Sequence, residues 1–344
     1  MNGSFKSVYY QKLGTKGQKY YDQALQCMAT HGRSFSPCPL NLTELLTMID
    51  EDHPELFFVS KKSRVLTSGN FFSKTTTIIP EYLYSVSEAR AVGEKLRQTA
   101  DRIISREIND HQSEYDKVQV LHDYLKLNVE YDLSQMKNVN MADRRNAACH
   151  SIVGALLEHK CVCEGFAKAF KYLCDGIGIE CWVVSGTGNS TIESGPHSWN
   201  IVKINGYYHH VDVTWDNQFA DSQEVLNYGY LNLSDDEISR DHVWKRENYP
   251  ACPDSPYNYF RVNDALIDSR AQLENFFRNN FEMEQETIMF KVVRGSLLER
   301  EINGCLDDCV FAAADKCRHL KVTPGTYYTM PEQLVYVMKM EYSY

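Results

Sequence analysis

The hydrophobic pattern of this chain changes period several times. Between residues 86 and 108, apolar positions recur at Ala91, Val92, Leu96, Ala100, Ile103 and Ile104, near helical spacing, and predict a long helix. Residues 16–30 read as helical too. Asn41-Leu42-Thr43 is a capping-like lead into the helix of ELLTMID, and EDHPELFFV breaks at Pro54 into extended chain. Residues 74–84, KTTTIIPEYLY, are rich in β-branched and aromatic types and predict a strand. Ser113-x-x-Asp116 resembles a capping box for a helix running to about 128. Further on, Cys163, Phe166, Ala167, Phe170, Leu173 and Ile177 return to helical spacing, and Gly176 or Gly178 can end that helix.

Past this helix the period shortens. HSWNIVKINGYYHHVDVTWD carries two apolar-rich arms about Asn205-Gly206, a strong signal for a two-residue hairpin loop. With those residues as the loop, Ile204 pairs with Tyr207, Trp199 faces Asp212 and His197 faces Thr214. Residues two apart on a strand share a face, so His197, Trp199, Asp212 and Thr214 are expected on one side. Trp215 falls on the other face.

The proline-rich YPACPDSPYNY is the best linker candidate. Beyond it the pattern predicts a helix near 268–280, a strand in TIMFKVVRG, a helix near 296–319 and a strand in QLVYVMKMEY. The expected organisation is an N-terminal mixed α/β extension over 1–110, a core over 111–250 and a small α/β domain over 257–344.

Composition narrows the classes. The chain has 344 residues, 43% hydrophobic, with net charge −10. It has no basic excess to meet phosphates, so neither nucleic acid nor an anionic membrane is an expected partner. No run approaches the ~18 apolar residues of a membrane span, and the start, MNGSFKSVYYQKLG, shows no secretory h-region. Eleven cysteines, an odd number, fit reduced thiols in a cytoplasm.

The chemistry concentrates in about fifty residues. Cys163 sits at a helix N-terminus, where unpaired N–H groups and the helix dipole favour a thiolate and can hold an oxyanion. His197 and Asp212 are diagonal neighbours on the predicted hairpin. A thiol, an imidazole to activate it and a carboxylate to orient the imidazole make the triad of covalent acyl chemistry. Trp199, His210 and Glu164 are the candidates for the substrate cleft, the last with its carboxylate turned off the thiol's side. Cys161 and Cys163 with His209 and His210 do not follow a zinc-ligand spacing, so no metal and no cofactor is expected. His122 and Asp123, adjacent on a helix, are expected to point apart. Cys305 and Cys309, one helical turn apart, read as core.

Three stretches carry a family likeness: Val162-Cys163-Glu164-Gly165-Phe166-Ala167, His197-Ser198-Trp199-Asn200 and Val211-Asp212-Val213-Thr214-Trp215-Asp216. With YGYLNLSDDEI and a following Asp-His, they resemble the transglutaminase-like superfamily, a branch of the papain-like cysteine fold. Phe166 stands where that pattern has Tyr, and Ser198 where it has Ala. The resemblance runs from about 115 to 245. It implies an α+β fold in which a cysteine-bearing helix packs on an antiparallel sheet. It also implies Cys163 as nucleophile, His197 as base and acid, and Asp212 as the orienting carboxylate. The implied activity is acyl transfer on amide bonds of a peptide or protein substrate, with hydrolysis preferred. Glutamine transamidation or deamidation, and a non-catalytic binding scaffold, are the alternatives.

Overall fold

Asn41 does what its position suggests. Its side chain accepts from the N–H groups of Thr43 and Glu44 and caps a helix. In the computed structural model, which describes residues 8–36, 41–70, 73–135, 143–189, 194–218, 226–317 and 319–343, this is the third helix. It follows α1 (Val8–Lys12) and α2 (Gly14–Ala29) and is α3 (Leu42–Asp52). The extended chain after Pro54 becomes one arm of a long antiparallel hairpin, β1 (Val59–Asn70) with β2 (Ser73–Tyr82). Next comes α4 (Val86–Glu107), opened by a reciprocal capping box between Ser85 and Glu88.

The middle of the chain begins with α5 (Glu114–Asn128), where Ser113 and Asp116 form the expected box. A short parallel ladder joins β3 (Glu130–Tyr131) to β4 (Lys160–Cys161), with α6 (Arg144–Cys149) between them. Then comes α7 (Cys163–Gly176), which packs against the first two strands of a five-stranded antiparallel sheet. Its strands are β5 (Cys181–Asn189), β6 (Ser194–Ile204), β7 (Tyr207–Val211), β8 (Leu231–Leu233) and β9 (His242–Trp244), in the order β8-β7-β6-β5-β9.

The central hairpin has the predicted register, from Ile204 opposite Tyr207 to Asn200 opposite Val211. Asn205 and Gly206 take φ of 48° and 91°, the left-handed pair of a type I′ turn that matches strand twist. The ladder then stops one pair short of Trp199 and Asp212. Asp212 leaves the strand and caps α8 (Val213–Gln218), its Oδ1 accepting from the N–H groups of Thr214 at 3.0 Å and Trp215 at 3.2 Å. The expected pairing of His197 with Thr214 is therefore absent, because the carboxylate satisfies a helix start instead. A second short helix, α9 (Asp235–Ile238), follows β8.

The C-terminal part holds α10 (Tyr259–Val262), β10 (Leu266–Ile267), α11 (Arg270–Glu282), β11 (Thr287–Val292), α12 (Leu297–Lys316), β12 (Lys321–Met330) and β13 (Val335–Ser343). Its sheet runs β10-β11-β13-β12. The pattern did not predict β12, which carries Pro324 and Gly325. It lies at the sheet edge with a register shift after Pro324, where a missing N–H is tolerated. The class is α+β, as expected.

Two large cores hold these pieces together. One joins α7 (Phe166, Phe170, Leu173) to α5 (Val118, Leu121, Leu125) and α4 (Leu96, Ala100). The other packs Phe277, Phe281 and Phe290 of the C-terminal part, with Cys305 and Cys309, against Trp215, Tyr230 and Leu233 of the middle. Each such large side chain contributes about 1.5–3 kcal/mol when fully buried. The Pro-rich stretch after β9 is itself packed, with Cys252 buried and its N–H on Asp235. No described helix is long and apolar enough to cross a membrane.

Candidate active site

Cys163 is the first residue of α7, directly after the extended Val162. A Cβ on Gly165 would stand 2.6 Å from Cβ of Cys161 and 2.7 Å from the carbonyl of Cys149. Only glycine lets the first turn of α7 lie this close to β4 and the end of α6, and this contact fixes the thiol. Among the described cysteines, Cys163 alone is partly exposed; the other nine are buried. Burial pushes the neighbouring Cys149 thiol up to about 11 and Cys161 well above the ordinary range. Cys163 lies at the N–H groups of a helix start.

His197 projects from β6. Its Nε2 lies 2.6 Å from Oδ2 of Asp212. Its Nδ1 is buried with no hydrogen-bond partner, and the Cys163 thiol is the neighbour that acts on the ring besides Asp212. Burial disfavours a charged imidazole here. The Asp212 carboxylate outweighs it, with the hydrogen bond and the thiol adding, and the ring is pushed up to about 10. Burial likewise opposes the Asp212 anion, but the His197 charge and the bonds from His197 and His242 hold it well below the carboxylate range.

His242 was not singled out from the sequence. Its Nε2 lies 3.0 Å from the same Oδ2 of Asp212, and its Nδ1 lies 2.6 Å from Oδ1 of Asp241. Asp241 Oδ2 in turn accepts from the Tyr230 hydroxyl at 2.7 Å and from Gln333 Nε2 at 3.1 Å. The network thus runs from His197 to a glutamine of the C-terminal part. The available signal was the Asp-His pair that closes the family-like stretch.

Two indoles flank the imidazole: Trp199 with ring centroids 6.0 Å apart and Trp215 at 5.3 Å. The expectation that Trp215 falls on the opposite face is corrected. The chain has already turned into α8, which brings that ring back to His197.

A cavity of about 520 Å³ opens beside Cys163 and His197. Of the cleft candidates, Glu164 lines it, whereas Trp199 and His210 are absent from its walls. Those two are buried together, Trp199 Nε1 donating to His210 Nδ1 at 3.0 Å and His210 Nε2 meeting Asp235 at 2.9 Å. Glu164 is not turned away from the thiol's side. It binds Lys61, Lys168 at 2.9 Å and His150 at 3.1 Å. Burial opposes its charge, yet the two lysines hold its carboxyl well below the usual range. The cavity's far wall is N-terminal, from α3 and β1; sequence pattern had assigned that region no part in a site.

His122 and Asp123 do not point apart. The ring meets Asp123 at 2.9 Å through Nδ1 and Asp216 at 3.0 Å through Nε2.

Two sets of donors fall within 4.8 Å of one another: His197, Asp212 and His242, and His210, Asp235 and Cys252. In the first the side chains bind one another; in the second Trp199 and the Cys252 N–H occupy donor-facing atoms of His210 and Asp235. Cys161, Cys163, His209 and His210 form no such group among the described residues.

Residues 98–213, which contain Cys163, His197 and Asp212, match the model of the transglutaminase-like superfamily. Over those residues the chain is similar to that superfamily. It is similar to the kyphoscoliosis peptidase of Mus musculus, 24% identical over 226 residues, which is 62% of this chain and 33% of that protein. The Homo sapiens counterpart is 25% identical over 130 residues, 36% of this chain and 19% of its own length. The chain thus spans a third or less of the curated relatives it matches. Among solved structures, a TGase shows 15% identity and a TM-score of 0.33 over 56% of this chain and 52% of its own. A candidate cysteine protease from Cytophaga hutchinsonii shows 15% identity and a TM-score of 0.28 over 45% and 63%.

Proposed function

We propose that this transglutaminase-like protein is a cysteine-dependent acyl-transfer enzyme acting on amide bonds of peptides or proteins, with hydrolysis as its main reaction. The observation that carries the reading is the state of His197. One ring nitrogen is held by a buried carboxylate, and the other is unpartnered on the side of the thiol at the start of α7. Cys163 Sγ attacks the amide carbonyl while the N–H groups at the start of α7 stabilise the oxyanion. His197 gives its proton to the leaving amine, a thioester remains, and water activated by His197 releases the acid. An amine in place of water gives transamidation from the same thioester. A reducing compartment, in which free thiols persist, belongs to this reading.

Iodoacetamide at about pH 6 separates a thiolate from ordinary thiols, whose pKa is about 8.5. Peptide mapping is expected to find Cys163 alkylated first in the folded protein, and His197→Ala to remove most of that preference. A panel of peptides and glutamine amides, compared between wild type and Cys163→Ala, then identifies the acyl donor. A Cys163 that stays inert while the protein is folded overturns the enzyme and leaves a binding scaffold.

A further inference from the structure

The cavity beside Cys163 has an apolar wall, to which Leu42, Leu46, Ile49 and Leu56 of the N-terminal region and Val183 of β5 contribute. Two lysines and two carboxylates of the lining pair with one another and cancel. Lys168 lies 2.7 Å from Asp50 and 2.9 Å from Glu164, and Lys61 pairs with the same two carboxylates. A third carboxylate of the lining, Glu51, has no such balance. It lines the same cavity and is 4% exposed. Its Oε2 accepts from the Tyr249 hydroxyl at 3.3 Å, and its Oε1 is buried without a hydrogen-bond partner. Among the described residues no basic side chain forms an ion pair with it.

We propose that the cleft selects an uncharged, apolar peptide segment beside the scissile amide, and that Glu51 is the residue that sets this choice. The proposal rests on Cys163 being the nucleophile of that cleft. A carboxylate buried without a cation costs several kcal/mol, and such a group keeps its proton instead. Burial pushes Glu51 up to about 8. Asp50 and Asp52 of its own helix push the same way, while Ser185 of β5 and Lys168 of α7 act against it. Tyr249, packed on its other side, stays a neutral donor, because burial raises its phenol further.

With Glu51 protonated, the four paired lysine and carboxylate charges cancel, and the His197 charge is held by Asp212 behind the wall. A substrate cation then meets no free carboxylate, and a substrate anion meets no free ammonium. Either would lose its water without a partner, whereas an aliphatic side chain gains by covering the Leu42–Leu46 wall. Above about pH 8 Glu51 ionises and the cleft gains one uncompensated negative charge. A lysine side chain, charged to about pH 10, then finds a partner.

Three N-acetyl-aminoacyl-glycyl chloromethyl ketones, carrying Leu, Lys or Glu before the glycine, test this on Cys163. Each alkylation rate is divided by that of iodoacetamide at the same pH, which removes the titration of Cys163 and His197 themselves. At about pH 6.5 the Leu probe is expected to react roughly tenfold faster than either charged probe, equivalent to about 1.4 kcal/mol. Between about pH 7 and 9 the Lys-to-Leu ratio is expected to rise roughly fivefold in the wild type, following Glu51, and to stay flat in Glu51→Gln, which keeps the shape and cannot ionise. A charged probe that matches Leu at low pH, a ratio that does not move with pH, or the same rise in Glu51→Gln overturns the proposal while iodoacetamide labelling stands. If iodoacetamide itself leaves Cys163 untouched, the nucleophile reading fails and this inference with it.

Discussion

Asp212 and Asp216 stand four residues apart, one capping α8 and the other within it, both buried and each meeting a histidine Nε2, at 2.6 Å and 3.0 Å. Around Asp216 every position is filled. His122 has Asp123 on its second nitrogen, and the N–H of Tyr230 lies 3.0 Å from Asp216 Oδ1. Around Asp212 one position is open: the second nitrogen of His197 is unpartnered beside a partly exposed thiol and a cavity. A buried carboxylate–imidazole pair by itself is a packing device. It becomes a chemical site when the far nitrogen is left for a proton that moves. The electrostatics differ in the same sense. Burial dominates at Asp216 and pushes it up to about 6, whereas at Asp212 two imidazoles overcome burial.

Replacing each aspartate by asparagine breaks or confirms this contrast, and it carries the largest expected effects. Asp212→Asn is expected to fold and to lose about ten-thousandfold in turnover, because an amide neither stabilises the imidazolium nor fixes its tautomer. Asp216→Asn is expected to keep turnover within a few-fold and to lose about 3–5 kcal/mol of stability by urea unfolding, since a buried histidine is left half-paired. Full turnover in Asp212→Asn, or loss of turnover without loss of stability in Asp216→Asn, would exchange the two roles.

Much of Asp212's placement is readable from local rules, and none of Asp216's pairing is. The Asn205-Gly206 turn sets the register, and the register carries Asp212 just past the end of β7, diagonal to His197. The apolar period of α7 likewise puts Cys163 at its start. What the pattern misses is set by contacts across long stretches of chain. His122 lies 94 residues from Asp216. Glu51 meets Tyr249 across 198 residues, and Gln333 meets Asp241 across 92. Periodicity specifies which face of an element is buried, but not which other element covers it. The placement of Trp215 fails for a nearer reason. Strand alternation was carried past Asp212, where a side-chain cap had already begun a helix.

Stability against pH sharpens the contrast at the next magnitude. Burial lowers His122, but hydrogen bonds to Asp123 and Asp216 outweigh it and push the ring up to about 9. A histidine raised in the folded state contributes stability that is fully present below its unfolded pKa, about 6.5, and lost as pH rises through the folded value. Urea midpoints are expected to fall between about pH 6.5 and 9, by up to about 3 kcal/mol for His122. His122→Gln should remove its share of that fall and leave the share of His197, whose folded value of about 10 makes it lose stability over the same interval and on to pH 10. A wild-type stability that is level from pH 6.5 to 9 would mean that the His122 pair is not charged in the fold.

The smallest effects are expected at the far end of the Asp212 network, and they ask whether the C-terminal part belongs to the site. His242 gives Asp212 a hydrogen bond that competes with His197 for the same Oδ2. In His242→Gln an N–H can still reach Asp212, but the second ring nitrogen on Asp241 is gone. Asp212 then concentrates its charge on His197, whose imidazolium pKa should rise by roughly one unit. Gln333→Leu acts one step further away. Asp241 loses one of its two donors on Oδ2, keeping Tyr230. Its hydrogen bond to His242 strengthens, the bond from His242 to Asp212 weakens, and His197 should rise in the same direction by a few tenths of a unit. Following the His197 ring signals by NMR as pH is raised reads both shifts in the folded protein. A purely structural glutamine would lower stability without moving that titration. Shifts in this order, His242→Gln above Gln333→Leu, place Gln333 in the positioning of His197; an unmoved His197 in both variants means that Asp212 orients it alone.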